Sequence, residues 1–305
     1  MSVQVQARDN SGDRSGAHTH LIGVAGLAIA LVINLMFALN VTAMKVVVDA
    51  SAPLTAAAAR MGVVGLLCLP FLRAPRGKVV WLALYGLFNG GLFLLVMNLA
   101  LRMATNLGPL AIAGQLGTPF SLLLGAVLLR ERLRPLRLGG VALAFAGVAV
   151  LVFDRRIAAE IPAVMVMAAA SFLWGTGTLI QRRFGGVPAL TTQAWNGAVG
   201  GLALLPCALL FEPGGMARLA AMAPLPWAWF AFSALGSTML GQGLLAWLLQ
   251  RHSIAHVMPL MLASPVIATL FASAYFHTPI TALMMLGLVV SLAGVAVIVL
   301  VPQRR

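Results

Sequence analysis

A chain of 305 residues that is 61% hydrophobic and only 9% charged carries more apolar surface than a water-soluble globule can bury, since soluble domains hold about 25% charged residues. Seven carboxylates against twenty Lys and Arg give a net charge of +13, yet no basic stripe is interleaved with aromatics, which argues against a nucleic-acid surface. The cations fit the ends of membrane helices on one side of a bilayer, and Cys68 and Cys207, without CxxC spacing, read as buried free thiols.

Residues 1–20 form a polar tail of mixed charge, and an apolar run opens at Leu21. That run is longer than the core of a secretory signal (about 7–15 residues), and no small-residue cleavage site follows, so it is expected to stay as the first membrane helix. A helix needs about 20 apolar residues to cross the hydrocarbon. Runs of that order occur at 21–43, 54–72, 79–100, 107–129, 136–153, 161–180, 190–211, 226–249, 254–276 and 280–301. Turn and charge signals divide them: DASAP at 49–53, RAPRGK at 73–78, RERLRP at 130–135, DRRIAAEIP at 154–162, RRFGGVP at 182–188 and EPGG at 212–215. The predicted fold is all-α, ten transmembrane helices with no connection long enough for a separate domain.

Orientation follows from the cations. With the N-terminus in the cytoplasm, fourteen Lys or Arg fall on the inner side, against Lys45, Arg102, Arg155, Arg156 and Arg218 on the outer. The positive-inside rule therefore places both termini in the cytoplasm of a multi-pass inner (plasma) membrane protein.

The chain also repeats itself. AGVAVLV at 146–152 returns as AGVAVIV at 293–299, and Trp81 pairs with Trp227, Pro119 with Pro265, Pro70 with Pro206 and Gly65 with Gly201. Such self-similarity marks a duplicated architecture. The expected divisions are a tail at 1–20, a five-helix repeat at 21–153 and a second at 161–301. Five is odd, so the second repeat is inverted relative to the first, a layout of secondary transporters whose substrate site lies between the repeats. The two AGVAV copies end the fifth and tenth runs. Gly140 and Gly147, like Gly287 and Gly294, sit seven residues apart on one helix face, which suits close helix contact, either as scaffold or in a homodimer.

Several of these features resemble the EamA-type carriers of the drug/metabolite transporter superfamily. They are the doubled ten-helix layout, Lys45 closing the first helix, Arg60 in AAARMGVVGLLCLP, GTPFSLLLGAVLLRERL at 117–133 and FLWGTG at 172–177. The resemblance covers about Leu21 to Val301. It implies a transporter of amino acids and related metabolites, sugars, nucleotide sugars or drugs, with a cavity lined by the first, third, fourth, sixth, eighth and ninth helices. Two departures stand out. The family's Trp-Gly in the first helix reads Leu39-Asn40 here and survives only as Trp174-Gly175, and Glu131 has Thr278 as its counterpart.

Polar groups in hydrocarbon are costly and tend to face a cavity or another helix. The candidates for the substrate cavity are Asn34, Arg60, Asn89, Asn98, Gln115, Thr118, Trp174, Thr176, Ser237, Gln242, Met261 and Ser264. For the hydroxyl residues the competing reading is a bond to their own backbone; for the amides it is a bond between helices; for Trp174 it is an interfacial belt. Pro119 and Pro265 interrupt the fourth and ninth helices at matching positions, which frees the carbonyls of Gln115 and Met261 for a ligand or water. Arg60 lies ~10 Å into its helix, where no intramembrane carboxylate can pair with it. It either snorkels to the outer interface or offers its charge to an anionic substrate group.

The reading that fits these features is a secondary transporter, with a small-molecule substrate, that exports amino acids or their derivatives. The alternative is an uptake permease for another solute, such as a sugar or nucleotide-type metabolite. A cationic-drug pump is disfavoured by the lack of a buried carboxylate. An intramembrane metal enzyme has only HSIAH at 252–256, two histidines at i, i+4 without the Glu of a zincin helix, so no metal, cofactor or catalytic residue is expected.

Overall fold

The computed structural model describes residues 23–131, 133–252 and 254–301. The tail at 1–20, Arg132 and the C-terminal Arg304 and Arg305 lie outside them. Ten helices of membrane length follow in order: α1 Val24–Ala50, α2 Pro53–Phe71, α3 Val79–Met103, α4 Leu107–Leu128, α5 Pro135–Phe153, α6 Arg155–Phe184, α7 Ala189–Phe211, α8 Pro224–Leu249, α9 His256–Phe276 and α10 Ala282–Leu300. A short helix, Gly215–Ala220, lies in the connection before α8. There is no strand among the described residues.

Local chemistry sets the helix ends. Proline opens α2, α5 and α8, where its missing N–H costs nothing and its fixed φ suits the first turn. The carboxylates serve the other starts. Glu212 accepts the Leu54 and Thr55 N–H groups at 2.9 and 2.8 Å, capping α2 from the end of α7. Glu160 accepts the Asn106 N–H at 2.9 Å and the Thr105 hydroxyl, capping α4. Asp154 holds the Arg156 N–H at 3.0 Å and accepts the hydroxyl of Thr281, which itself caps α10 through the Met284 N–H. Each carboxylate meets orphan donors at the positive end of a helix. The first helix runs seven residues beyond its apolar stretch, and within that extension Lys45 pairs with Asp49 one turn on, at 2.8 Å, a small local support for its polar end.

Packing is closest where side chains vanish. Glycine faces bring α2 against α7: a Cβ on Gly65 would lie 3.0 Å from the Gly197 carbonyl carbon. The same device joins α5 to α10. A Cβ on Gly147 would lie 2.6 Å from Gly287 O, and one on Gly294 an equal 2.6 Å from Gly140 O. This contact is intramolecular, so the glycine faces expected to serve as scaffold or dimer contact meet each other inside one chain.

The halves also share their irregularities at an offset of 146 residues. A π-helical stretch begins at Gly86 in α3 and at Phe232 in α8. Helix α4 breaks at Gln115 and Leu116 between Leu107–Gly114 and Gly117–Leu128, and α9 breaks at Met261 and Leu262 between Ile254–Leu260 and Ala263–Phe276. Pro119 and Pro265 stand four residues after the start of each break, where they deny the helix its N–H donor. Side chains from the other half steady both breaks. Asn34 in α1 donates to Leu260 O at 2.9 Å, and Ser171 in α6 donates to Ala113 O at 3.0 Å.

Candidate functional site

A cleft runs between the halves at these breaks, walled by α1, α3, α4, α6 and α9. It has two lobes, of about 150 and 300 Å³, that meet at Gly114, Gln115, Met167, Ser264 and Pro265. The smaller lobe extends toward the end of the bundle that carries the α1–α2 and α3–α4 connections, between Asn40, Val41 and Met44 of α1, Met97 and Leu101 of α3, Leu110 of α4 and Ala268 of α9. The larger extends the other way, between Phe37, Phe93, Thr118, Ser171, Trp174 and Met261. Its volume sits at the lower end of ligand pockets, about 300–1,000 Å³, a size for a small metabolite.

Helical spacing explains how the wall is built. Phe37, Asn40, Val41 and Met44 occupy one face of α1; Phe93, Met97 and Leu101 one face of α3; Met167, Ser171 and Trp174 one face of α6. Trp174 is placed by the break in α4. Its ring lies over Gly117, where a Cβ would come 2.5 Å from Cε3, and the next residue, Gly175, sits against the Ser121 N–H. The GTPF and FLWG motifs are thus two sides of one contact.

Of the residues expected from sequence, Gln115, Thr118, Trp174, Met261, Ser264 and Pro265 come together in the cleft. Asn34 lies behind it as the clasp on α9. The others do not line it. Asn98 is fully buried and donates to Pro53 O at 3.0 Å, joining α3 to the start of α2. Asn89 donates to the Tyr85 hydroxyl at 2.8 Å, one turn earlier on its own helix. Thr176 donates to Phe172 O within α6, and Pro119 is buried beneath the α4 break. Ser237 is buried in the π-helical stretch of α8, while Gln242 is exposed outside both lobes. Helix α8 therefore gives the cleft no residue, although its repeat mate α3 gives three. The Met261 carbonyl is not free either, since the Ser264 N–H takes it at 3.2 Å; Gln115 keeps a carbonyl whose fourth residue onward is Pro119.

Arg60 does not snorkel. It is 7% exposed, with Nε and Nη2 donating to Thr238 Oγ1 at 3.2 and 2.6 Å and Nη1 to Met44 Sδ at 3.0 Å. The five described carboxylates are all engaged elsewhere: three as helix caps, Asp49 with Lys45 and Arg102, and Glu131 with Arg182 at 2.9 Å.

The sequence reading missed Phe37, Asn40, Met44, Phe93, Met97 and Met167. For Phe37, Asn40 and Met44 the signal that could have found them is the i, i+3, i+4, i+7 stripe of α1, hidden because most of its members are apolar among apolar neighbours.

The EamA-like transporter family matches this chain twice, at residues 24–153 and 161–300. Two curated relatives are each named "Probable amino-acid metabolite efflux pump". That of Salmonella typhimurium is 27% identical, covering 87% of this chain and 92% of its own length. That of Escherichia coli is 26% identical with the same coverage, 87% and 92%. The "Aromatic amino acid exporter YddG" of Ancylobacter novellus is 31% identical over 66% of this chain and 71% of its own. One solved crystal structure superposes with a TM-score of 0.59 at 21% identity, covering 90% of this chain and 96% of that one; at that identity the likeness speaks to fold alone.

Proposed function

The chain belongs to the EamA-like transporter family, and on that premise we propose that it exports amino acids or their derivatives with large apolar side chains. The observation that carries this reading is the composition of the cleft. Phe37, Phe93, Trp174 and four methionines give the wall its large apolar surfaces, and a few polar groups, Asn40, Gln115, Thr118, Ser171 and Ser264, supply hydrogen bonds. Aromatic and thioether surfaces suit an apolar side chain, while the amides and hydroxyls suit an ammonium and carboxylate. A sugar would ask for a denser polar lining. The names of the relatives support the same class.

We place both termini in the cytoplasm. The cation-rich side also stacks Arg183 over Trp81 at 5.5 Å and Arg251 over Trp247 at 4.0 Å, as suits cations and aromatics anchored at an inner interface. The mechanism follows from the doubled layout. The cleft lies between repeats whose paired breaks and π-helical stretches give each half a place to bend, so rocking one half against the other opens the site to each side in turn. Counterflow in proteoliposomes across amino acids, sugars and nucleosides tests this reading.

A further inference from the structure

Arg60 is a buried cation with no buried anion. Its guanidinium has five N–H donors, of which three are used, two of them on the one oxygen of Thr238 and the third on a thioether. All of these partners are neutral. An ion held this way keeps part of its desolvation penalty, which a counter-charge would relieve, and no described carboxylate is placed to supply one.

The way from Arg60 to the substrate is short. Met44, the thioether on Nη1, is itself a wall residue of the smaller lobe, as is Asn40. Ser233 ties them together, its hydroxyl 2.8 Å from Asn40 Oδ1 and 3.0 Å from Met44 Sδ. Thr238 in turn donates to Ser233 O at 2.9 Å, within the π-helical stretch of α8. A methionine side chain on three rotatable bonds is the easiest of these groups to move.

We propose that Arg60 is the counter-charge for the substrate's carboxylate, reached when Met44 swings aside. The amino acid then lies with its carboxylate in the smaller lobe, toward Arg60 and Asn40, and its side chain in the larger lobe among Phe37, Phe93 and Trp174. The planar fork of Arg matches a carboxylate through two parallel hydrogen bonds. The substrate class is accordingly narrowed to compounds with a free carboxylate; amides, esters and amines of the same side chain are discriminated against. The assignment rests on the amino-acid reading above and specifies which end of the molecule goes where.

The test compares exchange of L-phenylalanine and L-phenylalaninamide in proteoliposomes for wild type, Arg60→Gln and Arg60→Lys. In wild type the acid should exchange at least ten-fold faster than the amide. In Arg60→Gln that ratio should fall to within about two-fold of unity, with Arg60→Lys between the two. A ratio unchanged in Arg60→Gln overturns the assignment while leaving the amino-acid reading intact. Wild-type vesicles that carry neither compound, nor any other amino acid, overturn that reading and this one with it. Should Arg60→Gln fail to insert, the wild type alone decides. In detergent and chloride-free methanesulfonate buffer, phenylalanine should raise the melting temperature and the amide should not. Equal shifts from both, or a shift from added chloride that abolishes the effect of phenylalanine, contradict the proposal; the latter would make an inorganic anion the partner of Arg60.

Discussion

Two tests of position distinguish a wall residue from a packing residue. Trp174 and Asn98 are indistinguishable as sequence candidates, both polar-tipped groups inside membrane helices. The structure separates them: Trp174 is 38% exposed on the cleft, whereas Asn98 is fully enclosed and bonded to the Pro53 carbonyl. Trp174→Ala should therefore change the relative transport of aromatic and small amino acids by about ten-fold, the scale of one lost aromatic contact worth 1–1.5 kcal/mol, with insertion preserved. Asn98→Ala should lower stability in detergent by about 0.5–1.5 kcal/mol, the net worth of its one bond to the Pro53 carbonyl, while substrate ratios stay as in wild type. Competition transport assays and thermal melts check both. The reason sequence cannot sort them is physical. Depth in the membrane can be counted from a helix end, but which side of the helix faces the cleft depends on rotation, and rotation is set by neighbours far away in the chain. Gln242 and Ser237 are misplaced by sequence for this reason, and Asn40 and Met44 are missed for it.

At the scale of elements, sequence is more informative. Ten apolar runs correspond to ten helices within a few residues at most ends, because length and hydropathy are properties of one segment and need no partner. The matched prolines point to the broken helices, since a missing N–H acts locally. The π-helical stretches in α3 and α8 have no such marker. Helix partners are legible only where glycine thins both surfaces, as in α5 and α10, and even there the pattern does not say whether the partner lies within the chain. That contact makes a sharp prediction. Gly147→Leu would drive a side chain into the backbone of α10, where Gly287 O stands 2.6 Å from the place a Cβ at position 147 would take; the loss should exceed the about 1–3 kcal/mol typical of overpacking. Gly139→Leu, with nothing within 4 Å of its Cβ position, should melt as wild type does. Thermal unfolding of the two variants in one detergent gives the comparison.

For the whole molecule, charge is divided unevenly between the two ends of the bundle. Carboxylates Asp154, Glu160 and Glu212 cap helices at one end of the bundle, and most cations sit at the other. In a background of Cys68→Ala and Cys207→Ser, a cysteine at Ala158, exposed at the start of α6, should react with an impermeant thiol reagent in intact cells. One at Ala74, exposed between α2 and α3, should be protected until the cells are opened. The reverse pattern would invert the orientation and turn the proposed direction of transport around. The proposed inverted duplication rests on five helices per half and the alternation of cations, global sums that tolerate errors at single residues. Substrate identity is not, since it depends on the few side chains that converge on the cleft. The most direct measurement is counterflow in proteoliposomes with no pH gradient imposed: vesicles loaded with unlabelled L-phenylalanine and diluted into trace labelled L-phenylalanine. The account predicts transient uptake of label that unlabelled aromatic or large apolar amino acids abolish and that sugars and nucleosides leave untouched. Label driven by a sugar or nucleoside, and by no amino acid, would contradict it.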